Sequence, residues 1–205
     1  CSMPRLARID APGVLHHIII RGINNRVIFT DDSDRNNLLE RLAALLPETR
    51  TACYAWAFLP DHAHFLMRSG PEGISRLMQR LLTGYARSFN RRHRRKGALF
   101  QQRYKSFVCQ EDVYFKELVR YIHLNPIRTR RFKNLDFRTK AENLKKYLWS
   151  SFPGYCYLRK RNPSFDYSWL LDAYFGRDNS QGRRQYREYV LKGIEGEIDN
   201  PFEDV

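Results

Sequence analysis

The sequence lacks any apolar run long enough for a membrane-spanning helix, which needs about 20 apolar residues. Its best candidate, residues 14–20, is short and contains His16 and His17. The sequence also lacks a CxxC pair, and its 4 cysteines show no spacing typical of a disulfide framework. These absences argue against a membrane protein and against a disulfide-rich secreted domain, and they predict a protein of the reducing cytoplasm.

Acidic residues are missing from one long segment of the chain. Residues 75–110 contain ten Lys and Arg side chains and no Asp or Glu, whereas the rest of the chain has 26 basic and 22 acidic residues. This segment therefore supplies +10 of the formal net charge of +14. Solvated surfaces ordinarily mix both signs, and a field of one sign attracts polyanions. The segment predicts a nucleic-acid partner.

The order of the predicted elements indicates the fold class. Predicted strands cover residues 14–20, 27–29, 51–58 and 62–67, with a linker or short strand at 99–108. Predicted helices cover 31–46, ended by Pro47, then 74–90 and 111–125, ended by Pro126; two short ones follow at 169–175 and 184–194. Strand pairs that alternate with single helices predict an α+β fold, a mostly antiparallel sheet with helices packed against it. We expect one domain over residues 3–150 and a small helical C-terminal extension over 151–205.

The string Leu59-Pro60-Asp61-His62-Ala63-His64 contains the first chemical motif. Because side chains alternate along a strand, His62 and His64 share one face while Ala63 points to the other. Two imidazoles so placed can hold one divalent ion. Two partly buried structural histidines give the same pattern, so HxH alone does not decide between these interpretations.

The second motif is Tyr121 followed four residues later by Asn125. At this spacing the phenol and the amide share one helix face. A half-buried tyrosine and a helix-ending asparagine are the structural alternative. Tyr114 is a second candidate nucleophile on that face but has no amide four residues on. A metal and a tyrosine in a strongly basic chain indicate covalent chemistry on a nucleic-acid phosphate.

These motifs together resemble the Y1 transposases of the IS200 type, which are HUH single-strand nucleases, and in particular their REP-associated branch. The resemblance extends over nearly the whole chain, in strings whose order and spacing are specific. They are Met3-Pro4-Arg5, Ala7-Arg8, His17 with Arg21-Gly22, residues 59–64, residues 85–90, Gly97 with residues 99–101, residues 103–106, residues 121–128 and residues 149–151. Ala63 departs from the bulkier residue usual in the family, but it remains apolar.

The resemblance implies a ferredoxin-like or RRM-like sheet and assigns roles to single residues. Tyr121 would be the nucleophile, and His62, His64 and Asn125 would bind Mg²⁺ or Mn²⁺. The substrate would be single-stranded or hairpin DNA, cleaved through a 5′-phosphotyrosine. Seven basic residues are then expected to contact DNA phosphates: Arg87, Arg91, Arg92, Arg94, Arg95, Arg103 and Lys105. His17 and Arg21 are candidates to line the site. Both a monomer and a homodimer are compatible with the resemblance.

Two other functions have less support from the residues. A non-catalytic, RRM-like nucleic-acid binder would share the same sheet, but no segment matches the RNP1 pattern of glycine and aromatics. A structural zinc protein would need a cysteine near the histidine pair, and neither Cys53 nor Cys109 has ligand spacing to it.

Overall fold

The computed structural model describes residues 10–109 and 111–196, and of residues 111–113 only the backbone. The strings at residues 3–8 and both outer ends of the expected domains lie outside the described residues. The described chain forms a four-stranded sheet in the order β2-β3-β1-β4, with every neighbouring pair antiparallel. The strands are β1 (Leu15–Arg21), β2 (Ala52–Phe58), β3 (His62–Arg68) and β4 (Lys105–Val108). The predicted α+β fold with an antiparallel sheet is confirmed.

The register between β1 and β3 determines which side chains share a face. Ile19 is opposite His64 and Arg21 is opposite His62, so these residues and His17 lie on one face of the sheet. The other face carries buried apolar residues such as Phe65. The two faces therefore differ in chemistry: His17, His62 and His64 lie on one, the histidine face, and the apolar core lies on the other, where His16 is also buried.

The apolar face is covered by helices α1 (Asp32–Thr49) and α2 (Ser75–Arg92). The side chain of Asp31 accepts a hydrogen bond from the backbone N–H of Asp34 and so caps α1. Helix α2 is amphipathic, since its buried residues recur at helical spacing. These residues are Leu77, Met78, Leu81, Tyr85 and Phe89.

The histidine face is covered by helix α3 (Glu111–Leu124), which continues into a 3-10 turn at Asn125–Ile127. Phe115 of α3 packs edge-on against Tyr54 of β2, with ring centroids 5.0 Å apart. The chain order β1-α1-β2-β3-α2-β4 with this strand order is the ferredoxin-like arrangement. Helix α3 follows it on the opposite side of the sheet from α1 and α2.

Two local predictions were wrong. Residues 27–29 form no strand; the backbone N–H groups of Ile28 and Phe29 both donate to the carbonyl of Pro60, and their side chains are buried from a loop. Pro47 does not end α1, which continues to Thr49. Proline is tolerated there because it lies in the last turn and its ring is exposed, and Arg50 ends the helix in the left-handed conformation (φ 50°).

Beyond α3 the described residues form four further α-helices: α4 (Phe137–Lys146), α5 (Phe152–Cys156), α6 (Ser168–Tyr174) and α7 (Ser180–Lys192). The last two were predicted, although α7 begins earlier than expected, and α4 and α5 were not. Buried residues of α5, α6 and α7 belong to the same apolar cluster as the sheet. The C-terminal extension is therefore packed into the core of the described protein. None of the described helices is long and apolar enough to cross a membrane.

Candidate active site

The ring of His62, at the start of β3, is oriented by the residue before it. Its Nδ1–H donates to Oδ1 of Asp61 at 2.8 Å. This hydrogen bond is the main reason that the pKa of Asp61 is lower than its usual value. An ionised carboxylate only accepts hydrogen bonds, so Nδ1 carries a proton, and in the neutral ring Nε2 has the lone pair. A histidine held by a carboxylate in this way is prepared for metal binding.

His64 lies two residues further along the same face and is almost fully buried. Its Nδ1 is 3.1 Å from Nε2 of His17, and the two rings stack with centroids 5.3 Å apart. Burial lowers the pKa of His17 to about 4 and that of His64 well below its usual value. Both rings are therefore neutral at pH 7. In the tautomer with the proton on Nδ1 of His64, its Nε2 is a free lone pair.

Tyr121, on α3, lies against this pair of histidines. Its ring meets His17 edge-on at 5.9 Å and His64 edge-on at 6.0 Å. The guanidinium of Arg128 lies 5.8 Å from the same ring. Helix α3 thus brings the predicted nucleophile next to the HxH motif and under a positive charge.

Asn125 follows Tyr121 by one helical turn, and its side chain turns back on the helix. Its Nδ2 donates to the carbonyl oxygen of Tyr121 at 2.9 Å. The amide nitrogen is therefore used in ending α3, and the amide oxygen is directed elsewhere. Both interpretations of this residue, helix end and oxygen ligand, are compatible with this geometry.

The donor atoms of these residues fit a divalent cation. Within the part of the chain that the structure describes, no group of three or more His, Cys, Asp and Glu residues is arranged to hold a metal. The predicted set differs because its third member, Asn125, offers an amide oxygen. The rings of His62 and His64 have centroids 5.1 Å apart, close enough to share one ion. Two imidazoles and an amide oxygen are ligands that divalent metals accept.

The predicted DNA-contacting residues divide into two groups. Six of the seven are exposed: Arg87, Arg91, Arg92, Arg94, Arg103 and Lys105. Arg92, however, bridges Asp31 and buried Asp34, at 2.5 and 2.6 Å. Arg95 donates to the carbonyl of Ala98 and lies over the ring of Phe89. These two arginines hold α2 to its surroundings.

The sequence predicted no role, or only a provisional one, for three side chains at the site. Asp61 orients His62, His17 bonds to His64, and Arg128 lies over Tyr121. Asp61 could have been recognised because a carboxylate directly precedes the histidine pair. The contacts of His17 and Arg128 depend on strand register and on the turn after α3, which spacing along the chain does not reveal.

Comparisons with known proteins identify the family and the fold. The family model described as "Transposase IS200 like" matches residues 12–125. A solved structure described as the REP-associated tyrosine transposase bound to a REP hairpin has the same fold, with 14% identity and a TM-score of 0.60 over 80% of this chain and 92% of that chain. A second, from Deinococcus radiodurans R1 and described as a candidate transposase, has 16% identity and a TM-score of 0.41 over 58% of this chain and 94% of that one. No curated protein matches the sequence.

Proposed function

The chain belongs to the IS200-like transposase family, and we propose that it cuts and rejoins single-stranded DNA at hairpins through a covalent intermediate on Tyr121. The solved relative with the same fold is described as bound to a REP hairpin, which supports hairpin DNA as the substrate. The observation that carries the proposal is the contact of the Tyr121 ring with the paired rings of His17 and His64. A tyrosine whose only role was to pack in the core would need no such polar neighbours.

In the proposed step, the phenol oxygen of Tyr121 attacks the phosphorus of one phosphodiester. A Tyr–O–P bond forms while the bond from phosphorus to the 3′ oxygen of the upstream nucleotide breaks. The phenol proton leaves to solvent and the departing oxygen takes up a proton, so the products are a free 3′-OH and a 5′-phosphotyrosine. One ester has replaced another, so attack by a 3′-OH reverses the step and joins strands.

The residues around Tyr121 have distinct parts in this step. The guanidinium of Arg128 lies 5.8 Å from the Tyr121 ring and supplies a positive charge beside the reacting group. His62, His64 and Asn125 would hold Mg²⁺ or Mn²⁺. When bound, such an ion withdraws charge from the scissile phosphate. Asp61 keeps Nε2 of His62 free by accepting from Nδ1.

Five of the exposed basic residues on and after α2 are suited to the DNA backbone. They are Arg87, Arg91, Arg94, Arg103 and Lys105. Lys105 lies opposite Ile19 on the histidine face of the sheet, and thus on the same side as Tyr121. Arg92 is better assigned to the structure, because both of its carboxylate partners would lose an ion pair if it turned to DNA.

The test is covalent capture of DNA. The protein is incubated with Mn²⁺ and a hairpin oligonucleotide with single-stranded flanks, labelled at its 3′ end. We expect a labelled band that migrates with the protein on a denaturing gel and disappears after protease treatment. The same oligonucleotide labelled at its 5′ end should give only a shortened free strand, because the protein is joined to the 5′ phosphate of the downstream piece.

Two variants on one helix make the test specific. Tyr121→Phe should form no adduct, while Tyr114→Phe should form as much as the native protein. Tyr114 is a matched control because it is on α3, seven residues earlier, with 53% of its surface exposed. An adduct with Tyr121→Phe would exclude this nucleophile. Salt-dependent DNA binding without an adduct from any hairpin or metal would favour the non-catalytic binder instead.

A further inference from the structure

A basic groove in the C-terminal extension lies outside residues 12–125, the part matched by the family. It has a volume of about 920 Å³ and runs between the 3-10 turn after α5 and helix α7. Among the described residues, nine line the groove, and five of these are basic. These are Arg159, Lys160, Arg183, Arg184 and Arg187. None of these nine described residues is acidic.

One wall of the groove is a face of helix α7. Ser180, Arg183, Arg184 and Arg187 recur at intervals of three and four residues, so they form one stripe along the helix. The buried residues of α7, Tyr186 and Val190, point to the core instead. The basic stripe therefore lies on the side of α7 away from the core, with Arg184 exposed and Arg183 and Arg187 partly buried.

The positive charge of the groove is only partly neutralised by the protein itself. Arg183 pairs with Asp178 at 2.9 Å, and Arg184 pairs with Glu188 in an exposed contact of little energetic weight. Among the described residues, Arg159, Lys160 and Arg187 form no ion pair with a carboxylate. At least three cations thus face the groove with solvent as their counterpart.

The opposite wall contributes apolar surface. Tyr157 and Leu158 line the groove and are 43% and 56% exposed. A groove with several unpaired cations and an exposed aromatic ring has the two features by which proteins bind single-stranded nucleic acid, charge for the phosphates and a flat surface for bases. A single small anion would leave the ring and most of the cations unused.

We propose that this groove binds an unpaired DNA segment, with Arg159, Lys160 and Arg187 on phosphates and Tyr157 stacked on a base. The choice of DNA rests on the proposed function. The same helix α7 also contacts α3, through Tyr189 and Glu117. A strand in the groove would therefore be held one helix away from the element that carries Tyr121.

The test compares two double variants. Arg159→Ala with Lys160→Ala removes two groove charges; the control, Arg138→Ala with Lys140→Ala, removes two charges from α4 outside the groove. Affinity is measured by fluorescence anisotropy over a range of NaCl concentrations, for a hairpin with a single-stranded tail and for the same hairpin without it. We expect the groove variant to bind the tailed hairpin about tenfold more weakly, and its salt slope to fall by about 1.4, or about 0.7 for each lost phosphate contact. The control should keep the native slope.

Further measurements separate the possible explanations. Tyr157→Ala should weaken binding to the tailed hairpin about tenfold, while Tyr157→Phe keeps the native affinity because the ring still stacks. These binding measurements need no adduct with Tyr121, so failure of the proposed chemistry is recognised separately. An equal loss on both hairpins would mean that the groove binds the duplex stem and would overturn the proposal. The proposal would also be overturned if the groove variant kept the native salt slope. The same holds if the variant lost binding to vesicles of anionic phospholipid but kept the native affinity for DNA.

Discussion

The imidazole of His123 is fully buried where helix α3 meets the C-terminal helices, and Tyr186→Phe tests what holds it there. Nδ1 of His123 is hydrogen-bonded to the hydroxyl of Tyr186, and Nε2 lies 2.7 Å from Oγ of Ser151. The substitution removes one hydroxyl and keeps the ring, which packs against Tyr155 and Phe175 at 4.8 and 5.3 Å between centroids. A buried ring nitrogen loses its partner, while the apolar contacts remain.

The expected cost follows from that single lost contact. A buried polar group without a partner costs about 1–3 kcal/mol. For a chain of this size, about 2 kcal/mol lowers the melting temperature by roughly 4–8 °C. The free energy of unfolding is measured by urea titration, in which the slope should stay native because the unfolded surface is the same.

Tyr114→Phe is the control, because this tyrosine is on α3 but exposed. Its unfolding free energy should stay within about 0.5 kcal/mol of the native value. If Tyr186→Phe were as stable as this control, the hydrogen bond to His123 would not hold α3 to α7. A changed urea slope would mean that the C-terminal helices unfold separately.

Three further predictions concern other charged groups. Asp61→Asn should weaken Mn²⁺ binding about 10–100-fold, because His62 loses the carboxylate that orients it; titration calorimetry measures this, and native affinity would contradict it. Arg92→Ala should lower the melting temperature, because buried Asp34 loses its ion pair. At low temperature the variant should bind hairpin DNA with the native affinity. A loss of affinity without a loss of stability would mean that Arg92 contacts DNA. Two arginines lower the pKa of Asp178 in the folded protein. The stabilisation that ionised Asp178 contributes is therefore complete above the pKa of the unfolded chain, about 4, and is lost as the pH falls through the lower folded pKa. Stability measured from pH 6 down to pH 3 should therefore fall less steeply in Asp178→Asn than in the native protein.

Local periodicity was sufficient for most of the sheet and for the helices that cover it. The strands around His17 and His64 and helices α2 and α3 were predicted close to their observed bounds because their apolar spacing is regular. Residues 27–29 look like a strand because they are β-branched and aromatic, but their burial comes from a loop bonded to Pro60. Helix α4 was missed because only Ala141 and Leu144 of its ten residues are buried.

The site was predictable where its residues are near each other in the chain. The pairs His62 with His64 and Tyr121 with Asn125 each share a face by spacing alone. That Tyr121 lies against His64 depends on how α3 crosses the sheet, which no local pattern contains. The run of arginines likewise predicted a basic surface. It did not predict that Arg92 would form ion pairs with acidic residues about sixty positions earlier in the chain.

The attachment of α7 to α3 has a practical consequence for protein engineering. Tyr189 donates a hydrogen bond to Glu117 at 2.6 Å, and the guanidinium of Arg120 lies 4.4 Å from the ring of Tyr189. A fragment that stops at residue 125 or 150 would lose these contacts and expose the apolar side of the tyrosine helix to water. Grafting the proposed chemistry onto another protein, for example as a covalent DNA tag, would therefore require transplanting the chain through α7.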